Sequence, residues 1–183
     1  MLYISILRGI NVGGHKKIKM ADLKALYLEL GFNDVTTYIQ SGNVVFKSAD
    51  TDIAYLIQTI ENSILKQYGF EVPVIIRTAD AWKNIVQNYP FDVNVLDNLT
   101  TVLVTLLSTK PTEDSVQILM AYVNNPDHLI IQDKNIYLYT PNGYGKTKLS
   151  NNFIEKKLGV KATTRNWKSM LKLYELSKCE KNV

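Results

Sequence analysis

The stretch Val35-Thr36-Thr37-Tyr38-Ile39-Gln40-Ser41-Gly42-Asn43-Val44-Val45-Phe46 decides the fold. Val35, Thr37 and Ile39 recur at the period of two that a strand requires, and Val44-Val45-Phe46 forms a second short apolar run. Ser41-Gly42 reads as a tight hairpin turn joining them. Two strands therefore follow one another directly, whereas a parallel pair needs a long crossover, usually helical. The upstream glycines Gly9, Gly13 and Gly14 also fail to spell the dinucleotide fingerprint, so a Rossmann unit is excluded. Those glycines are expected to supply positive φ or close backbone approach in a loop.

Upstream of the hairpin, Leu2, Ile4 and Ile6 alternate with Tyr3 and Ser5 as a strand ending near Arg8. Met20, Leu23, Leu26, Tyr27 and Leu30 then recur at helical spacing, with Gly31 where a left-handed residue closes a helix. Downstream, Ile53, Ile57, Ile60 and Ile64 mark a helix capped by Thr51 or Asp52 and ended by Gly69. Val72 to Arg77 completes the order β-α-β-β-α-β. A further helix is expected from Ala79 to Tyr89, capped by Thr78 or Asp80 and stopped by Pro90.

The pattern then starts again. Val102 to Leu107 is a strand, and Val116, Leu119, Met120 and Val123 line a helix entered through Thr112. Leu129-Ile130-Ile131 and Ile136-Tyr137-Leu138 flank Asp133-Lys134 as a second hairpin. Leu149, Phe153, Ile154 and Leu158 lead to Gly159, and Val160 to Thr163 is the last strand. Trp167, Met170, Leu171 and Tyr174 share one face of a final helix, with Thr164 or Asn166 as cap. Identities echo the repeat: Ile39-Gln40 with Asn43 against Ile131-Gln132 with Asn135, Tyr68-Gly69-Phe70 against Leu158-Gly159-Val160, and Arg77 against Arg165. The expected fold is α+β: two tandem ferredoxin-like βαββαβ units with a C-terminal helix. Residues 1–98 form the first unit with its extra helix, and 99–183 the second.

Apolar residues at 46% and charged residues at 21% are those of a globular chain. The longest apolar run, around Val102 to Leu107, is strand-sized and far short of a membrane span. The start lacks a basic signal region, and the lone Cys179 has no partner for an internal disulfide, so the cytoplasm is the expected compartment. One cysteine with two distant histidines, His15 and His128, supplies no metal-ligand spacing, and no cofactor is expected.

Charge is distributed unevenly. Residues 8–24 carry Arg8, Lys16, Lys17, Lys19 and Lys24 against Asp22 alone. Residues 146–172 carry Lys146, Lys148, Lys156, Lys157, Lys161, Arg165, Lys168 and Lys172 against Glu155 alone, while 25–145 hold six bases and thirteen acids. If folding joins the two basic segments, their fields add and attract anions; two separately solvated faces are the alternative. Gly145-Lys146-Thr147 has the ending of a phosphate-binding P-loop, but Thr140 stands where its first glycine belongs and Pro141 follows. Lys146, Lys148 and the helix start near Leu149 could still hold one anion through charge and orphan amides. Leu2 to Leu7 resembles the first-strand motif of RNA-recognition domains. The third strand lacks the interleaved aromatics, so Tyr3 and Phe46 are expected to pack between the halves rather than to stack bases.

The run Leu7-Arg8-Gly9-Ile10-Asn11-Val12-Gly13-Gly14, then Met20-Ala21-Asp22-Leu23, Gly31-Phe32 and Thr37 to Phe46, resembles the bacterial domain-of-unknown-function family 1697. Thr163-Thr164-Arg165-Asn166-Trp167-Lys168, followed by Lys172-Leu173, does so too, although Lys168-Ser169 stands where members usually have Asn-Thr. The resemblance implies a paired ferredoxin-like architecture and no established activity. Its motifs fall on Arg8 to Gly14, Ser41 to Asn43, Lys146 to Lys148 and Arg165 to Trp167.

These readings combine into an expected binding protein whose partner is an anionic small molecule or a nucleic acid. Arg8, Lys17, Lys146, Lys148 and Arg165 would supply charge, and Asn11, Ser41, Asn43 and Asn166 neutral hydrogen bonds. Trp167 reads first as core packing, with stacking by an exposed ring as the alternative. An enzyme acting on a phosphorylated or carboxylated metabolite is the rival reading, without an identifiable base. The third has Arg8, Asn43 and Arg165 bonding backbone groups where the repeats join.

Overall fold

The computed structural model of the chain describes residues 1–91 and 99–178. By contacts it divides into two units, one comprising Met1–Asn84 and the chain from Lys172 onward, the other Ile85–Leu171. The boundary expected at 98/99 falls in a stretch whose residues 92–98 lie outside the described ones.

In the first unit, β1 (Leu2–Leu7), α1 (Met20–Glu29), β2 (Asn33–Tyr38), β3 (Asn43–Lys47), α2 (Ile53–Tyr68) and β4 (Val74–Thr78) follow the expected order. The sheet runs β2-β3-β1-β4 and every pairing is antiparallel. Alternation along the strands sends Tyr3, Leu7, Val44, Phe46, Val74 and Ile76 to one face. There they bury Leu23, Leu26 and Tyr27 of α1 and Leu56, Ile60 and Ile64 of α2. Tyr3 and Phe46 are register partners whose rings stack at 5.6 Å inside this core. They therefore face the unit's own helices rather than packing between halves, and no base-stacking platform forms from them. The other face carries Ile4, Ile6, Val45 and Ile75, all buried, so β1 is apolar on both sides. Asp52 caps α2 by accepting from the amides of Ala54 at 2.9 Å and Tyr55 at 3.3 Å, and Gly69 ends it at φ 75°.

Helix α3 (Ala79–Gln87), entered through a bond from the Ala81 amide to Thr78 Oγ1, precedes the second sheet. That sheet uses β5 (Val102–Leu107), α4 (Glu113–Met120), β6 (His128–Gln132), β7 (Asn135–Tyr139), α5 (Asn151–Leu158) and β8 (Ala162–Asn166), followed by α6 (Trp167–Lys178). Its strand order, β6-β7-β5-β8, repeats that of the first sheet, again all antiparallel. Leu103, Leu107, Leu119, Leu129, Ile136, Leu138, Ile154 and Leu158 form its core. The fold is thus α+β, with two four-stranded antiparallel sheets and six α-helices among the described residues.

The two sheets share several local features. Arg77 stands opposite Ile4 and Arg165 opposite Val104, and each Nη1 donates to the carbonyl of the preceding residue, at 3.1 and 2.9 Å. Gly69 and Gly159 close α2 and α5 in left-handed geometry. Glu61 and Glu155 each accept, at 2.8 Å, the first amide of the next strand. One sequence echo does not hold. Tyr38 pairs with Asn43 and Gln132 with Asn135, so Gln132 corresponds to Tyr38 rather than to Gln40. The first hairpin carries four residues, Ile39 to Gly42, where the second carries Asp133-Lys134 alone.

Among the described residues no helix is long and apolar enough to cross a membrane, and none of their His, Cys, Asp and Glu side chains cluster as a metal site.

Candidate functional site

In the first unit the loop after β1 is organised by Asn11. Its Nδ2 donates to the carbonyls of Ile18 at 2.9 Å and Gln40 at 2.8 Å, and its Oδ1 accepts the Ile18 amide at 2.9 Å. Asn11 itself sits at φ 56°, a region asparagine tolerates better than most side chains. The loop is drawn against the β2–β3 turn, where the Leu7 amide donates to Gly42 O at 2.8 Å. Only glycine fits there: φ is +75°, and a Cβ would lie 2.7 Å from Leu7 Cβ and 2.8 Å from Ile10 Cδ1. Asn43 is fully buried, and its Nδ2 donates to Tyr38 O and to Ser41 Oγ, both at 2.9 Å. Asn11, Ser41 and Asn43, expected to contact a ligand, thus direct these bonds to the protein itself. Arg8 is half-buried and already engaged within the protein. Lys16 Nζ donates to Glu71 O at 2.6 Å, whereas Lys17 is exposed and unpaired among the described residues.

In the second unit two of the expected site residues, Arg165 and Trp167, are buried, and Asn166 is exposed. Arg165 is 9% exposed and donates through Nη1 to Thr163 Oγ1 at 3.0 Å and Thr164 O at 2.9 Å. Desolvation lowers its pKa to about 10, which leaves it charged at neutral pH. Asn166 Oδ1 caps α6 by accepting the Ser169 amide at 2.9 Å. Trp167 is buried, its ring centroid 4.2 Å from that of Tyr89. Arg165 and Asn43 each bond a backbone carbonyl of their own unit, those of Thr164 and Tyr38.

Lys146 and Lys148 remain on the surface. Both are exposed, and neither Nζ has a partner among the described residues. They line a hollow of about 410 Å³ with Tyr122, Asn124, Asn125, Asp127, Asn142 and Thr147. Thr147 Oγ1 donates to Asp127 Oδ2 at 2.5 Å and accepts the Leu149 amide at 3.2 Å, which fixes the carboxylate in the wall. At the rim, Lys157 Nζ donates to the Tyr122 hydroxyl at 3.0 Å; that bond, with the adjacent positive charge, lowers the Tyr122 pKa. The Tyr122 ring also meets Phe153 edge-on at 5.2 Å.

Backbone amides contribute less than the sequence suggests. The amides of Gly143 and Lys146 are bonded to the carbonyls of Thr140 and Gly143, so no P-loop nest forms. Helix α5 begins at Asn151 rather than near Leu149, and Ser150 Oγ satisfies the Phe153 amide. Side chains therefore define this hollow. Of its lining, only Lys146 and Lys148 were expected. Asn124, Asn125 and Asn142 are of a residue type common in turns and so carry no signal of a site, and the contact between Asp127 and Thr147 joins residues twenty apart. A second hollow of about 420 Å³ sets Glu113 and Asp133 against Lys110 beside Val116 and Ile131, a balance unsuited to an anion.

The model of the family described as "Protein of unknown function (DUF1697)" matches residues 1–137, and the chain belongs to that family. Among solved structures, the conserved bacterial protein SP0830 from Streptococcus pneumoniae is similar, with a TM-score of 0.76 and 23% identity over 96% of this chain and 98% of that one. The likeness shows a shared fold. No curated protein matches.

Proposed function

We propose that this DUF1697 protein is a binding protein for a phosphate-bearing anion, held principally by Lys146 and Lys148. The observation carrying the reading is a pair of ammonium groups, unpartnered among the described residues, on a concave wall rich in carboxamides. A Lys ammonium is a compact point charge with three donors, suited to phosphate oxygens. The basic segment of residues 8–24, with exposed Lys17, adds to the attraction of anions by its own unit. We further infer that the two units are a ferredoxin-like duplication, a reading supported by their identical strand order and by the matching bonds of Arg77 and Arg165.

A compact hollow and the burial of Tyr3, Phe46 and Trp167 favour a small ligand over a nucleic-acid strand. Calorimetric titration with inorganic pyrophosphate tests the reading. Binding should weaken about tenfold or more when Lys146→Gln and Lys148→Gln are combined, since two charge-assisted bonds are lost. Unchanged affinity in the folded double variant refutes it. For nucleic acid, binding of single-stranded RNA must fall steeply with salt, and a flat response excludes that ligand.

A further inference from the structure

We propose that the hollow takes a phosphomonoester bearing neighbouring hydroxyl groups, with Lys146 and Lys148 on the phosphate and Asp127 Oδ1 accepting from a hydroxyl. The proposal rests on the anion reading above and adds the ligand's second half.

Size is the first argument. About 410 Å³ lies within the range of small-molecule sites and greatly exceeds what one phosphate group fills. Charge is the second. Asp127 sits in the same lining as the two lysines, and a carboxylate facing a phosphate directly would repel it. A carboxylate suits such a wall where the ligand offers O–H donors away from its phosphate, as a ribose diol does to an acidic residue in nucleotide sites. The carboxylate is already oriented for this role. Thr147 Oγ1 holds Oδ2, and Oδ1 has no protein partner among the described residues.

The third argument is the remaining wall. Asn125 and Asn142 carry side-chain amides without partners among the described residues, and each amide can both donate and accept, as a polyol requires. Pro126 and the Tyr122 ring are the apolar members, beside seven lining residues with polar side chains. Sugar phosphates and nucleoside monophosphates share this chemistry.

Calorimetry on the full chain with methyl phosphate, ribose 5-phosphate and adenosine 5′-monophosphate separates the possibilities. The two hydroxylated ligands should bind about tenfold more tightly than methyl phosphate, the worth of one to two added hydrogen bonds. Asp127→Asn should erase that gap without weakening methyl phosphate. Asn142→Ala, at an exposed position without a protein partner, should narrow it and guards against misfolding of the first variant. Stronger binding of the nucleotide than of ribose 5-phosphate supports the proposal with the base against Tyr122, and equal binding supports it with a sugar phosphate. If all three bind alike, the hydroxyl assignment is overturned and the anion reading stands. If none binds, both fall.

Discussion

Asn11 Nδ2 lies 2.8 Å from the carbonyl oxygen of Gln40, and this bond ties the glycine-rich loop after β1 to the turn of the first hairpin. The same side chain also holds both backbone groups of Ile18, so one carboxamide sets the shape of a loop twelve residues long. A residue type that sequence reading assigns to a ligand is here a loop organiser.

Asn11→Ala leaves three backbone groups to find other partners and places alanine at a positive φ. The expected loss is about 2–3 kcal/mol, because the groups are only partly shielded from water. Urea denaturation measures it through the midpoint. Asn11→Asp keeps the Ile18 amide bond but sets carboxylate oxygen against two carbonyls, and should lose a comparable amount.

Gly42→Ala and Gly14→Ala form a matched pair. Both glycines have positive φ, at 75° and 80°, but the added Cβ meets Leu7 and Ile10 at Gly42 and nothing within 4 Å at Gly14. The first change should cost about 3 kcal/mol, from overpacking added to backbone strain, and the second about 1 kcal/mol. Similar midpoint shifts for the two would contradict the close approach at Gly42.

Ile39 holds φ 48° with its side chain 48% exposed, a conformation that β-branched residues rarely adopt. Ile39→Asn relieves this strain without emptying a core and should raise stability by about 1 kcal/mol. Thermal unfolding reads the change as a higher Tm. A lower Tm would mean that the isoleucine packs more tightly than its exposure indicates.

Stability should fall above pH 10. Burial raises the pKa of Tyr27, Tyr89 and Tyr137 above the ordinary 10.0, with Tyr89 raised further by Tyr137. Below pH 10 folded and unfolded chains both keep these protons, and the stability is fully present. As pH rises past 10, the unfolded chain releases them while the folded chain retains them, so each group favours unfolding by up to about 1.4 kcal/mol per pH unit. Tyr27→Phe should reduce the alkaline slope by one such share, read from urea midpoints between pH 9 and 11. Its cost at neutral pH is the 2.8 Å bond to Ser5 Oγ, which retains a 3.4 Å bond to Val44 O.

The order β-α-β-β-α-β and its recurrence were legible because alternation and helical spacing are local. Val35, Thr37 and Val44 to Phe46 announce a hairpin, Asp52 and Gly69 bracket a helix, and Thr112 stands at a helix start. The site was less legible. Lysines at 146 and 148 could be identified as surface cations from composition, but their neighbours Asp127 and Asn124 are separated from them by β6 and β7.

From its sequence alone the chain determined which residues alternate, which turn and where charge gathers, since these follow from side-chain chemistry and backbone preference over a few residues. Which polar groups face solvent was decided by tertiary structure. Asn11 meets the carbonyls of Ile18 and of the hairpin residue Gln40, Asn43 that of Tyr38 on the paired strand, and Arg165, turned inward, that of its neighbour Thr164. Lys146 and Lys148 meet none among the described residues. A polar side chain is available to a ligand only where the fold leaves its hydrogen bonds unmade, and that depends on contacts between residues far apart in the chain.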